Sequence, residues 1–109
     1  MLKLFLVTRR DLSPGQQAVQ AAHALQEFNH QHPGLAKEWY ECSNTLAFLS
    51  VENEKALGVI LRKARDRLTP ISAFREPDRQ NELTALAIGP EGRRLVKDLP
   101  LALSESTPL

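Results

Sequence analysis

A single cysteine, Cys42, stands in 109 residues. No intrachain disulfide can form, so the chain is expected to be intracellular or at least not disulfide-dependent. No apolar run approaches the roughly 20 residues that span a bilayer. The apolar run at 2–7 is too short for a signal sequence and has no small-residue cleavage pattern behind it. The glycines Gly15, Gly34, Gly58, Gly89 and Gly92 are isolated, so there is no phosphate-cradling loop and no support for nucleotide hydrolysis. His30 and His32 lack Cys or carboxylate partners at metal-ligand spacing, and neither a metal nor another cofactor is expected. A strong charge of one sign is missing too. Fourteen Lys+Arg against thirteen Asp+Glu leave +1, which excludes a protein whose whole surface clamps a polyanion.

What remains is the composition of an ordinary globular chain, 42% apolar and 25% charged. Its length predicts one domain over 1–109, and the expected compartment is the cytoplasm. The apolar run at 2–7 predicts a strand over 2–9. Ser13-Pro14-Gly15-Gln16 reads as a helix start, with Ser13 as cap, Pro14 in the first turn and Gln16 completing a capping box. That helix is expected to run to Asn29 or His30. At about 100° per residue, Ala18, Ala21, Ala22, Leu25 and Phe28 fall in one sector about 120° wide, the expected core stripe. Gln16, Gln20, His23 and Glu27 fall opposite, as a polar file.

A short helix is expected at 35–41, anchored by Trp39 and Tyr40. An apolar strand without clean alternation follows at 45–51, as for a strand covered on both faces. The helix at 52–68 carries Leu57, Ile60, Leu61, Ala64 and Leu68 at helical spacing. Glu52 and Glu54 stand at its start and Arg62, Lys63, Arg65 and Arg67 near its end, matching its dipole. This basic cluster reads as a solvated helix end. Thr69-Pro70 ends the helix, a short strand is expected at 71–74, turn chemistry at 75–81, a strand at 83–88 and a last helix at 91–97, with a frayed tail over 104–109. The order β-α-(α)-β-α-β-β-α predicts an α/β fold with a mixed four-stranded sheet packed by helices.

Asp11, Leu12, Gly15, Ala18, Gln20, His23 and Ala24, together with Trp39 and the run Thr84, Ala87, Ile88, Gly89 and Pro90, resemble the signatures of the type 2 peptidyl-tRNA hydrolase family, divergent in the manner of a bacterial-type member. The resemblance spans about residues 3–98. Two places depart from it. The Lys that follows Gly in the family's helix motif is Gln16 here, which removes a fixed positive charge at the start of the helix. The family's Asp-Ala-Gly-x-Thr-Gln segment is replaced by Phe74-Arg75-Glu76-Pro77-Asp78.

The resemblance implies metal-free hydrolysis of the ester joining a peptide to tRNA, with peptidyl-tRNA as partner, no membrane and a homodimer as an allowed state. Such an ester needs a base to activate water and donors for the developing oxyanion. His23 is the expected base, since histidine titrates near neutral pH. Asp78 or Glu76 is expected to orient it, Thr84 and Gln20 to present a hydroxyl and an amide to substrate, and Arg9, Arg10 and Arg75 to hold phosphate. Asp11 and Gln16 complete the expected substrate-binding set, although a turn cap accounts for Asp11 equally well and the capping box accounts for Gln16 completely. The departures leave a second expectation open: a tRNA-binding or regulatory domain in which catalysis is weakened or lost. A hydrolase of another small ester or amide is the third.

Overall fold

A computed structural model describes residues 2–104. The elements are β1 (Lys3–Arg9), α1 (Pro14–Gln31), α2 (Pro33–Cys42), β2 (Thr45–Val51), α3 (Glu54–Asp66), β3 (Ile71–Glu76), β4 (Glu82–Ile88) and α4 (Arg93–Val96), with single 3-10 turns at Pro77–Arg79 and Pro90–Gly92. The expected order is met. Of the tail expected to fray, only Ser104 lies within the described residues.

The sheet order is β2-β1-β4-β3. β1 and β2 are parallel, joined through α1 and α2, and β4 runs antiparallel to both β1 and β3. Alternation along each strand sends side chains to opposite faces. Phe5, Val7, Leu86 and Ile88 join Leu57, Ile60 and Leu61 of α3 in one core. Leu4, Leu6, Ala85 and Ala87 join Ala21, Ala24 and Phe28 of α1 and Trp39 of α2 in the other.

Ser13 caps α1 by accepting from the Gln16 backbone N–H, and Asn53 caps α3 by accepting from Ala56 N–H. The reciprocal half of the capping box, from the Gln16 side chain, is not among the hydrogen bonds of the described residues. At the far end of the α3 core, Gly92 is fixed by close approach: a Cβ there would overlap Ile88 Cγ2 and press on Thr69.

Four expectations are corrected. The buried face of α1 carries Gln17, Gln20, Ala21, Ala24 and Phe28, while Ala18 and Ala22 are exposed. It is turned by about 90° from the apolar stripe counted at helical spacing, because both glutamines are buried with hydrogen-bond partners and alanine tolerates either environment. Tyr40 anchors nothing and is 65% exposed, whereas Trp39 is buried and donates from Nε1 to Thr45 O at 2.7 Å. β3 continues through Arg75 and Glu76 into the stretch expected to turn. α3 begins after its Asn53 cap and ends at Asp66, leaving Leu68 exposed in a left-handed conformation with φ 55°.

Candidate active site

Where β3 and β4 pair, Phe74 opposes Ala85 and Arg75 opposes Leu83, so Thr84 is an extra residue in β4. Such a bulge re-aims side chains. Simple alternation would put Thr84 beside Leu86 and Ile88 against α3, but its hydroxyl reaches α1 instead, donating to Gln20 Oε1 at 2.6 Å. Leu83 joins the α3 core in its place, and its backbone N–H donates to the Glu54 carboxylate at 2.8 Å.

Gln20 carries the connection onward. Its Nε2 donates to Glu76 Oε1 at 3.0 Å, so a buried amide links a buried hydroxyl to a half-buried carboxylate. Since the Thr84 hydroxyl has a single proton and Gln20 Oε1 can only accept it, the amide orientation is determined by its two partners. The next rung is made of rings. His23, three residues along α1, stacks on Phe74, two residues back along β3, with centroids 4.4 Å apart and planes 8° from parallel. Residues three apart on a helix are neighbours, as are residues two apart on one strand face, so imidazole and carboxylate stand on adjacent rungs. Its ring nitrogens make no hydrogen bond among the described residues, and an open hollow of about 390 Å³ lies beside it, lined by Val19, Ala22, His23 and Gln26.

Several expected roles change in this geometry. Neither Glu76 nor Asp78 bonds to His23: Glu76 is held by Gln20, and Asp78 is exposed on the 3-10 turn without a hydrogen bond or ion pair among the described residues. The support under His23 is the Phe74 ring. Thr84 is fully buried and cannot present its hydroxyl to a substrate, and Gln20 is 4% exposed with its amide engaged at both ends. Gln20 holds Glu76, and Thr84 holds Gln20. Arg75 falls between Phe74 and Glu76, out of the file of β3 side chains that meets α1, and reaches only Asn81 O at 3.5 Å. Gln16 is exposed, one turn before Gln20 on the polar side of α1.

Arg9 also departs from the phosphate role. It is 5% exposed, and it donates from Nε and Nη2 to the two oxygens of Asp11, each at 2.9 Å, and from Nη1 to Glu82 at 2.7 Å and to Leu83 O at 3.2 Å. Its charge is already matched inside the protein. The hydrogen bonds that Arg9 donates hold the carboxyls of Asp11 and Glu82 below their ordinary values, and the same bonds hold the guanidinium above its own. Arg79 shares Glu82 at 3.3 Å. Arg10 points elsewhere, bonding to Ser50. Arg62, Lys63, Arg65 and Arg67 are exposed, as expected of a solvated helix end.

The family model described as peptidyl-tRNA hydrolase PTH2 matches residues 2–104. The chain belongs to this family. Its hydrolase fold is the mixed four-stranded α/β sheet described above, and the PTH2 family acts on peptidyl-tRNA. A comparison with curated proteins returns no match. Among the described residues, no helix is long and apolar enough to cross a membrane.

The residue beside His23 that the sequence alone does not mark is Phe74. Ser72, Phe74 and Glu76 each meet α1, through Gln31, His23 and Gln20. Their period of two is visible once the strand is continued to 76. Nothing in the sequence marks Thr84 as the bulge residue.

Proposed function

We propose that the protein hydrolyses the ester bond of peptidyl-tRNA, or of N-blocked aminoacyl-tRNA, with His23 as the catalytic base. The observation that carries this reading is the His23 imidazole lying flat on Phe74 with both nitrogens unengaged among the described residues, next to a carboxylate held by Gln20 and Thr84. A ring held on its face keeps its in-plane nitrogens open to a water molecule and a substrate.

In this reaction His23 takes a proton as water attacks the ester carbonyl. The tetrahedral intermediate then expels the ribose oxygen, which takes that proton from the imidazolium. Glu76, one rung away, supports the positive charge that passes through the ring, and Gln20 and Thr84 are positioning residues that fix Glu76. The hollow lined by Val19 and Ala22 offers an apolar seat beside the base for the acyl side of the ester.

The absence of a lysine at Gln16 favours a slower enzyme over a fast one, and the binding-module reading stands as the competing outcome. The test is release of labelled peptide from N-blocked aminoacyl-tRNA. His23→Ala is expected to lower kcat/KM by about 10²- to 10⁴-fold with the melting temperature unchanged, since His23 is exposed. Equal turnover in wild type and His23→Ala would refute the base. No turnover in wild type and none on Gln16→Lys would replace the hydrolase with a binding domain.

A further inference from the structure

β4 pairs with β1 from Ile88 opposite Phe5 to Ala85 opposite Thr8, and no further pair of these two strands follows among the described residues. On its other side β3 skips Thr84, with Phe74 opposite Ala85 and Arg75 opposite Leu83. At Leu83 and Thr84, therefore, β4 leaves the regular register on both sides at once. A strand that does so gives up ladder hydrogen bonds, and its buried backbone groups need other partners. Here side chains supply them. The Leu83 N–H donates to Glu54 Oε2 at 2.8 Å, the Leu83 carbonyl accepts from Arg9 Nη1 at 3.2 Å, and the Thr84 carbonyl accepts from the Thr8 hydroxyl at 3.2 Å.

These side chains come from β1 and from the first turn of α3, and none belongs to the line that runs from Thr84 through Gln20 to Glu76. Thr8 is fully buried, and the guanidinium of Arg9 is braced by Asp11 and Glu82. Glu54 is the first residue of α3, where the helix N-terminus favours a carboxylate. Matching that dipole requires no contact with β4, so the reach of Glu54 to Leu83 is a second use of the same charge.

Regular pairing would set Thr84 opposite both Arg9 and Arg75 and turn its side chain toward α3, on the side of Leu86 and Ile88. The bonds from Glu54, Arg9 and Thr8 hold the displaced register against that alternative. We propose that Glu54, Arg9 and Thr8 are positioning residues for the site at His23: by fixing the backbone of Leu83 and Thr84 they aim the Thr84 hydroxyl at Gln20, and through Gln20 they place the Glu76 carboxylate. Where turnover is concerned the inference rests on hydrolysis at His23. The placement of Gln20 does not.

The test compares Glu54→Ala, Glu54→Gln and Thr8→Val in the full chain. Glutamine keeps an acceptor for the Leu83 N–H and loses the charge, while valine keeps the shape of Thr8 and loses the donor. Glu54→Ala is expected to lower kcat per folded molecule by about 10- to 100-fold, as misplacement from a distant substitution does, with KM little changed, and Glu54→Gln to restore most of the loss. In a Thr84→Val background Glu54→Ala adds no further loss, since the hydroxyl it aims is gone. A second measurement is free of catalysis. By NMR the side-chain NH2 protons of buried Gln20 are expected to exchange more slowly than those of exposed Gln16, and to lose that protection in Glu54→Ala and Thr8→Val but not in Glu54→Gln. Losses in kcat that multiply in the double variant, an unchanged kcat per folded molecule in Glu54→Ala, or unaltered protection of Gln20 would each overturn the proposal. Should Glu54→Ala fail to fold by circular dichroism, the kcat and the Gln20 exchange of Thr8→Val decide. If the wild type shows no turnover, the hydrolase reading falls and the exchange of Gln20 alone decides the positioning.

Discussion

The two faces of the sheet are built from different materials. Between the sheet and α3 lie Leu57, Ile60, Leu61, Leu86 and Ile88, large aliphatic side chains that bury much area. Between the sheet and α1 lie Ala21, Ala24, Ala85 and Ala87, with Phe28 and Trp39 toward one end, and through the other end runs the line Thr84, Gln20, Glu76. Small side chains keep the helix within reach of the strands, so one glutamine can span from a buried hydroxyl to a half-buried carboxylate. One face contributes mainly hydrophobic stability, at roughly 25 cal/mol per Å² of apolar surface buried. The other holds polar groups that cost stability unless each is satisfied, and here they fix the position of the Glu76 carboxylate.

This contrast breaks first on the dry face. Leu57→Ala removes a fully buried side chain and is expected to cost about 2–5 kcal/mol, read as a lower denaturation midpoint, with residual turnover tracking the folded fraction alone. On the polar face, Thr84→Val keeps the shape but leaves Gln20 Oε1 without its donor, a loss of about 1–3 kcal/mol. Here kcat should fall beyond the folded fraction, with a changed pH profile, and Thr84→Ser should restore both. If Thr84→Val lowers stability and leaves kcat per folded molecule untouched, the two faces do not differ in the way described.

The Arg9 cluster sharpens the comparison through pH. Asp11 and Glu82 have folded pKa values below their ordinary 3.8 and 4.5. The stability they contribute is fully present above those ordinary values and is lost as pH falls through the lower folded ones. Acid unfolding of Arg9→Met, followed by fluorescence from pH 6 downward, should therefore show a flatter acid limb than wild type, because the lowered values vanish with the guanidinium. An equally steep limb would assign acid sensitivity to other groups. The smallest effect lies on neither face. Leu68 is 87% exposed with φ 55°, a conformation that disfavours a branched side chain, so Leu68→Gly should raise stability by about 0.5–1 kcal/mol in thermal unfolding.

Much of this architecture was legible in the pattern of residues. The apolar runs at 2–7 and 45–51, the Ser13-Pro14 start and the helical spacing of Leu57, Ile60, Leu61 and Ala64 each led to an element in its place. The face of α1 was not legible, because alanine carries little preference and a buried glutamine looks polar until its partners are known. Arg9 was read as a surface cation because its partner Glu82 is remote in sequence. For the site, His23 and Gln20 stood out through resemblance, but their supports did not. Phe74 was assigned to the end of a strand that in fact continues through Glu76. The aim of Thr84 depends on a one-residue offset between β3 and β4, which no local preference encodes.

The order β2-β1-β4-β3 also has a meaning in time. β4 comes last of the four strands along the chain, yet it occupies an interior position between β1 and β3. As the polypeptide emerges from its amino end, β1, β2 and α1 can associate early, with His23 already exposed on its helix. β3 then waits without a neighbour. Only when residues 82–88 arrive and insert does the sheet close, and the same event delivers Thr84 to Gln20. Completion of the sheet and assembly of the site are thus one late step of biosynthesis, and chains released before it carry the histidine without the arrangement that supports it.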